Sequence, residues 1–371
     1  FRVGDFYEMF QEDAVEASKL LSIALTSRDK SSETPIPLCG VPYHAATNYI
    51  AKLLRAGRTV ALCEQVEDPK LAKGLVRREV VRLYTPGTLI DSEFLPSTES
   101  NVLAAVCVRL RSAGTGRKEP SYGLATLEVS TGDYWLSEFH GIQAEASLRD
   151  ELARLEPKEL LFPEDLSPDE QQWAADLTGP RCCAQPATWF DLEQGRMTLQ
   201  EQFRVHSMEA FGCHRLTLGI QAGAAVLRYV RETQPSAPLD HIRPPRVRQD
   251  HDAMHLDSVT IRNLELVRPA GRAEESSNQS TYTLLGVLDR TVTAMGSRLL
   301  REWLLRPLVN SAAIEARLTA VDELKRQIDA RVRLRTALRT VQDISRLCSR
   351  MSLGVANPRD VLALKISVSS L

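Results

Sequence analysis

The 371-residue sequence has none of the features that would place it at once in several common classes. It contains no CxxC pair. Cys39, Cys63, Cys107, Cys182, Cys183, Cys213 and Cys348 are scattered, which gives zinc little support and points to reduced, mostly buried thiols of a cytoplasmic protein. Apolar runs such as Val102 to Val108 fall far short of a membrane span. No stretch has the basic, apolar, small-residue order of a signal peptide. There is no internal repeat, no low-complexity tract and no G-x-x-x-x-G-K-[ST] loop of the kind that cradles nucleotide phosphates. A net charge of −2 argues against a simple basic nucleic-acid binder. The chain opens on Phe1 and stops in mid-pattern at Leu371, and it reads as a piece of something longer.

What is present is an ordinary soluble composition, 43% hydrophobic and 25% charged, in a chain long enough for two or three domains. The charge is unevenly spread. Residues 1–86 carry 12 Lys/Arg against 11 Asp/Glu, 87–236 carry 13 against 22, and 237–371 carry 21 against 15. An acidic middle is repelled by phosphates, so any nucleic-acid contact is expected from the two ends.

Periodicity divides the chain in a similar way. In residues 1–87 the spacing predicts a helix over Gln11 to Leu21, a strand over Ser22 to Arg28, a Pro-rich loop from Ser31 to Pro42, a helix from His44 to Ala56 stopped by Gly57, and strands over Thr59 to Gln65 and Arg78 to Tyr84. That is a small α+β domain, ended by Pro86–Gly87. Residues 88–100 read as a linker. Residues 101–236 read as a second mixed unit. It has a strand from Asn101 to Arg109, a polar turn from Ala113 to Ser121, a hairpin of Tyr122 to Val129 and Tyr134 to Phe139, a strand over Glu159 to Phe162 and a closing helix from Leu216 to Thr233. The four prolines between Gln234 and Pro245 mark the next boundary. Residues 237–371 are almost wholly helical from Leu256. Leu285, Leu288, Val292, Met295, Leu299 and Trp303 follow one helical spacing across Leu284 to Leu305, and Asn310–Ser311 is placed to cap a helix over Ala312 to Gln327. The expected class is a multidomain α/β chain ending in an incomplete all-α unit.

The most informative short stretch is Gly4-Asp5-Phe6-Tyr7-Glu8. On a strand, Phe6 and Glu8 share a face. A ring beside a carboxylate is a poor core pattern, because a buried carboxylate needs a partner. It is a sensible recognition pattern: the ring can wedge between base steps, and the carboxylate can accept a hydrogen bond from a base edge while repelling phosphates. An edge strand with one core Phe and one solvated Glu fits the same residues. Pro42-Tyr43-His44 holds a histidine but equally sets a loop before a helix. Glu128 and Asp133 flank a hairpin turn, as metal ligands of a nuclease or as solvated acids. The arginines from Arg326 to Arg350 face phosphates or form the solvated side of a helix.

Longer segments carry a resemblance. Phe1-Arg2-Val3-Gly4-Asp5-Phe6-Tyr7-Glu8-Met9-Phe10 resembles the opening motif of the bacterial MutS family of DNA mismatch repair proteins. Further similar segments follow in family order: Pro35 to His44, Val60 to Gln65, Val81 to Thr88, Arg262 to Leu266 and Leu288 to Arg298. The resemblance implies that residues 1–87 are a mismatch-recognition domain, 101–236 an RNase H-like connector, and 237–371 the start of a helical core or lever. It implies that Phe6 stacks on a mispaired base and Glu8 hydrogen-bonds it. The implied partners are double-stranded DNA with mismatches or small loops, a second copy of the chain and a MutL-type repair protein, in the bacterial cytoplasm. ATP and Mg are implied for the full-length family and no cofactor for this stretch, which is expected not to be an enzyme on its own. An RNase H-like metal-dependent nuclease and a helical protein-binding scaffold stand as rival readings.

Overall fold

The computed structural model describes residues 1–28, 35–67, 76–112, 118–175, 181–234, 238–248, 253–269 and 282–371. The first unit is built on β1 (Arg2–Val3), β2 (Phe6–Phe10), β3 (Thr26–Arg28) and β4 (Ile36–Pro42), in the order β1-β2-β4-β3 and antiparallel throughout. Helices α1 (Gln11–Leu21) and α2 (Ala46–Arg55) pack on one face of this sheet. The bounds of α1 are those the periodicity predicts. The following strand is shorter than expected, because Ser22 turns left-handed to cap the helix and Ile23 N–H still bonds back to Ser18.

The expected loop from Ser31 to Pro42 is corrected: residues 29–34 lie outside the described residues, and Ile36–Pro42 is a central strand. Its prolines sit where a strand tolerates them, Pro37 against the edge strand and Pro42 at the strand's last position. A separate hairpin, β5 (Val60–Gln65) with β6 (Arg78–Tyr84), completes the unit.

Residues 88–100 are not a free linker. Thr88, Leu89, Ile90 and Leu95 are buried, and Ile90 belongs to the core of the second unit. The anchor beneath them is Glu159, which has no exposed surface. Its Oε2 accepts from Thr85 Oγ1 at 2.6 Å and Gly87 N–H at 3.0 Å, and its Oε1 from Tyr229 OH at 3.0 Å.

The second unit is a six-stranded sheet. Strands β7 (Leu103–Ser112), β8 (Lys118–Glu128) and β9 (Asp133–Phe139) form an antiparallel meander, and β10 (Glu159–Pro163) and β11 (Arg181–Gln185) add on in parallel to give β11-β10-β7-β8-β9. Of the expected polar turn, residues 113–117 lie outside the described residues and Lys118 to Ser121 belong to β8. Leu103, Ala105 and Cys107 point to one core and Ala104 and Val106 to another. Helices α5 (Leu192–Phe203) and α6 (Leu218–Thr233) cover the first face, and α3 (Ala144–Leu155) and α4 (Pro168–Ala175) the second. Burial on both faces explains why β7 is unbroken in its apolar run from Leu103 to Val108 rather than alternating.

The expected boundary at 236 is also corrected. The sheet takes its last strand, β12 (Arg246–Val247), from beyond it, in parallel on β9 at Trp135–Leu136. Residues 235–237, within the Pro-rich stretch, lie outside the described residues.

The third unit contains α7 (Ser258–Asn263), α8 (Leu284–Leu288), α9 (Ala294–Leu305), α10 (Ser311–Arg326), α11 (Ile328–Leu338), α12 (Ile344–Ser352) and α13 (Pro358–Ser369). The single spacing over Leu284 to Leu305 resolves into two helices. Asp289 accepts from Thr291 N–H and Oγ1 and stops the first, and Thr293 caps the second by accepting from Gly296 N–H. Asn310 caps α10 as expected. No described helix is long and apolar enough to cross a membrane.

Buried charge joins the second and third units. Glu151, 3% exposed, meets Arg154 at 2.6 Å, Arg248 at 3.1 Å, and Arg306. Arg346 donates to the carbonyls of Pro96 and Glu99 and to Glu128. Arg350 bonds Ser92 and Asp360. Arg346 and Arg350 therefore depart from the expected solvated helix face, which Arg326 keeps.

Two outcomes follow from this packing. At Gly123 of β8 a Cβ would overlap the backbone of Leu218 in α6. Gly123→Ala is expected to cost the second unit about 2–3 kcal/mol, read as a lower denaturant midpoint. Burial works to raise the Glu151 carboxyl, but Arg306, Arg248 and Arg154 outweigh it and hold it below the usual carboxylate range. A depressed carboxylate contributes stability that is present above its unfolded pKa and lost as pH falls through the folded one. Attachment of the third unit should thus weaken on acidification below the ordinary carboxylate range. Glu151→Gln should cost about 3–5 kcal/mol at neutral pH by leaving buried arginines unpaired, and should flatten the acid limb of a pH-dependent melt.

Candidate nucleic-acid interface

The outer face of the first sheet is set by the alternation of β2. Tyr7 and Met9 pack into the core with Ala14, Ala17, Cys39, Val41 and Leu53. Phe6 and Glu8 therefore project from the opposite face. Cross-strand register brings Pro42 opposite Phe6 and Gly40 opposite Glu8. Phe6 is 47% exposed, so it is not a core residue, whereas the rest of its strand is half-buried.

Glu8 is half-buried. Its Oε2 is shut away from solvent and accepts no hydrogen bond from the described protein atoms. A carboxylate oxygen in that state is costly unless something else supplies a donor.

Gly40 is the residue that sequence reasoning passed over. A Cβ there would stand 3.6 Å from Glu8 Cγ and 3.8 Å from Phe6 Cδ1, so its bare backbone forms the floor on which both side chains lie. The signal is in the sequence, as a glycine inside a strand, but the prolines around it predict a loop.

Pro42, Tyr43 and His44 do two things. They set the turn into α2, with residues 43–45 in a 3-10 turn and Tyr43 N–H bonded to Asp5 O at 2.9 Å. They also extend the exposed face beside Phe6. The Tyr43 ring is half exposed, meets His44 edge-on at 5.9 Å, and lies under the Arg2 guanidinium at 4.6 Å. Arg2 also pairs with Glu64 at 3.4 Å, and Glu64 in turn holds the Tyr7 hydroxyl, which ties β1 and β2 to the β5–β6 hairpin. Burial, then the Glu64 bond, pushes the Tyr7 hydroxyl up to about 12, so it stays a donor.

The acids considered for a nuclease are held by cations of the chain itself. Glu128 is buried against Arg346 and Ser130, which corrects its reading as a solvated turn residue, and Asp133 pairs with Arg243 at 2.8 Å. Among the described residues no group of three or more His, Cys, Asp or Glu is arranged to hold a metal.

Three family models match in sequence order: MutS domain I over residues 1–93, MutS domain II over 101–243 and MutS domain III over 259–371. The chain belongs to the MutS family. The whole chain is 44% identical to the DNA mismatch repair protein MutS of Solibacter usitatus, and 42% identical to the proteins of that name from Desulforapulum autotrophicum and Syntrophobacter fumaroxidans. It spans 41%, 40% and 40% of the length of those MutS relatives.

The floor at Gly40 can be checked without any ligand. Gly40→Val suits a strand and should change stability by less than about 1 kcal/mol. Its methyl groups would enter the space of the Phe6 ring, so the Phe6 ring resonances and their contacts to residue 40 should shift while those of Tyr7 and Met9 hold.

Proposed function

We propose that the first unit reads mismatched or looped duplex DNA with its outer sheet face, Phe6 acting as the wedge and Glu8 as the acceptor for a base-edge donor. The observation that carries this reading is an exposed aromatic ring beside an unsatisfied, half-buried carboxylate, both on a glycine floor. A mispaired step stacks poorly and bends cheaply, so inserting the ring costs less there than at a paired step, where unstacking costs a few kcal/mol. The carboxylate gains a hydrogen bond only where a base offers one, and elsewhere its charge opposes the phosphates.

In the full-length protein the second unit is a connector and the third a lever, which pass the bound state to an ATPase that uses ATP and Mg. The working form is a homodimer in the bacterial cytoplasm that recruits a MutL-type protein. This chain, without a phosphate-cradling loop in its sequence, does not hydrolyse ATP by itself.

The test is titration of variants of the full-length protein with a mismatched and a perfectly paired duplex at two salt concentrations. Base–aromatic stacking is worth about 1–3 kcal/mol, so Phe6→Ala should lose roughly tenfold to a hundredfold of mismatch preference with the fold intact. Glu8→Ala should bind the paired duplex as well as or better than the parent while the mismatch advantage shrinks, an effect that salt screens. Retention of the preference by Phe6→Ala would remove the wedge. Equal weakening on both duplexes by Glu8→Ala would make Glu8 structural.

A further inference from the structure

A cavity of about 400 Å³ lies between the second and third units. Six arginines line it, Arg154, Arg246 and Arg248 from the second unit and Arg298, Arg301 and Arg306 from the third, against the carboxylates of Glu128, Asp133 and Glu302. The pairing is uneven. Glu128 and Asp133 are taken by Arg346 and Arg243, which stand outside the lining. Arg298 and Arg301 have partners of their own in Asp343 and Glu156. Arg154, Arg248 and Arg306 share Glu151, with Glu302 3.8 Å from Arg248. Arg246 lies over the Trp135 ring, 5.5 Å from its centre. Four guanidiniums thus face two carboxylates.

Three of the four are nearly enclosed, with side chains 8%, 13% and 14% exposed for Arg154, Arg248 and Arg306. An uncompensated charge in such a place is costly. Burial, then the neighbouring Arg306, lowers the Arg248 guanidinium from its ordinary value. The Arg154 Nε is buried and has no acceptor among the described atoms. Arg248 also lies over the Trp135 ring, 4.6 Å from its centre.

We propose that this cavity binds a phosphate-class dianion, held jointly by Arg154, Arg246 and Arg248 of the second unit and Arg306 of the third. Two negative charges match the excess of the four guanidiniums over Glu151 and Glu302. Tetrahedral oxygens accept from several forked donors at once, which one carboxylate does less well. The volume falls in the small-ligand range of about 300–1,000 Å³ and leaves room for an ester group beyond the phosphate itself. Because the donors come from both units, the bound dianion strengthens their attachment. The inference stands apart from the mismatch reading and involves neither Phe6 nor Glu8.

The probe is inorganic phosphate, titrated calorimetrically into the full chain at constant ionic strength, with chloride replaced as phosphate is added. Saturable binding of about one phosphate per chain is expected, with a rise in melting temperature beyond that given by chloride. Arg246→Gln leaves the Glu151 cluster intact and should weaken binding about fivefold or more, and Arg248→Gln should do so further. Absence of saturable heat, or equal binding by the parent and Arg246→Gln, would overturn the proposal. A short duplex is the control: its backbone diesters are monoanions, so displacement of phosphate by DNA would overturn the dianion assignment, and no displacement assigns the site to a soluble phosphate monoester.

Discussion

The two-residue period of β2 is the constraint on which the rest of the site depends. Tyr7 and Met9 fill the core under α1, and that requirement alone turns Phe6 and Glu8 outward. A shift of one residue would bury the carboxylate and expose the tyrosine that Glu64 holds. The partner strand obeys the same period, with Cys39 and Val41 inward and Gly40 and Pro42 outward. The ring and the carboxylate are thus held in fixed relation by hydrogen-bonded strands.

The three units are joined by buried polar groups as well as by apolar contacts, Ile90 and Leu353 both entering the core of the second. Glu159 fastens the end of the first unit beneath the second, while Glu151, Arg346 and Arg298 fasten the third. Removing one partner from such a cluster costs far more than the cluster adds, because it strands a charge in a poorly solvated place. The faces of α10, α11 and α13 are different: Leu318, Val321, Val332, Val361, Leu362 and Val368 all stand exposed.

Where local chemistry is decisive, the sequence was legible. α1 and β6 have the bounds that periodicity predicts, Asn310 caps its helix, and Phe6 and Glu8 share a face as their spacing requires. The departures have specific causes. Proline density hid β4, since a strand's tolerance for Pro37 and Pro42 depends on neighbours that a single segment does not reveal. Asp289 and Thr293 interrupted an apolar spacing that looks continuous from Leu285 to Trp303, because capping competes with periodicity. β12 is two residues long and exists only because β9 offers an edge. Glu128 looked like a turn acid until Arg346, more than two hundred residues away, was brought against it. Long-range pairing of charge leaves no mark in local pattern.

The enclosure of Glu159 has an evolutionary consequence. Thr85, Gly87 and Tyr229 all donate to one carboxylate with no access to water, and Arg181 and Cys183 lie near it. A change at any one of these positions alters what every other can tolerate, so their substitutions are not additive. Gly87 is further restricted, since a side chain there would stand 2.9 Å from Glu159 Cβ. Lineages that alter this cluster must therefore alter it in concert, and a chimera that splices the first unit of one relative onto the second unit of another would inherit half of each solution.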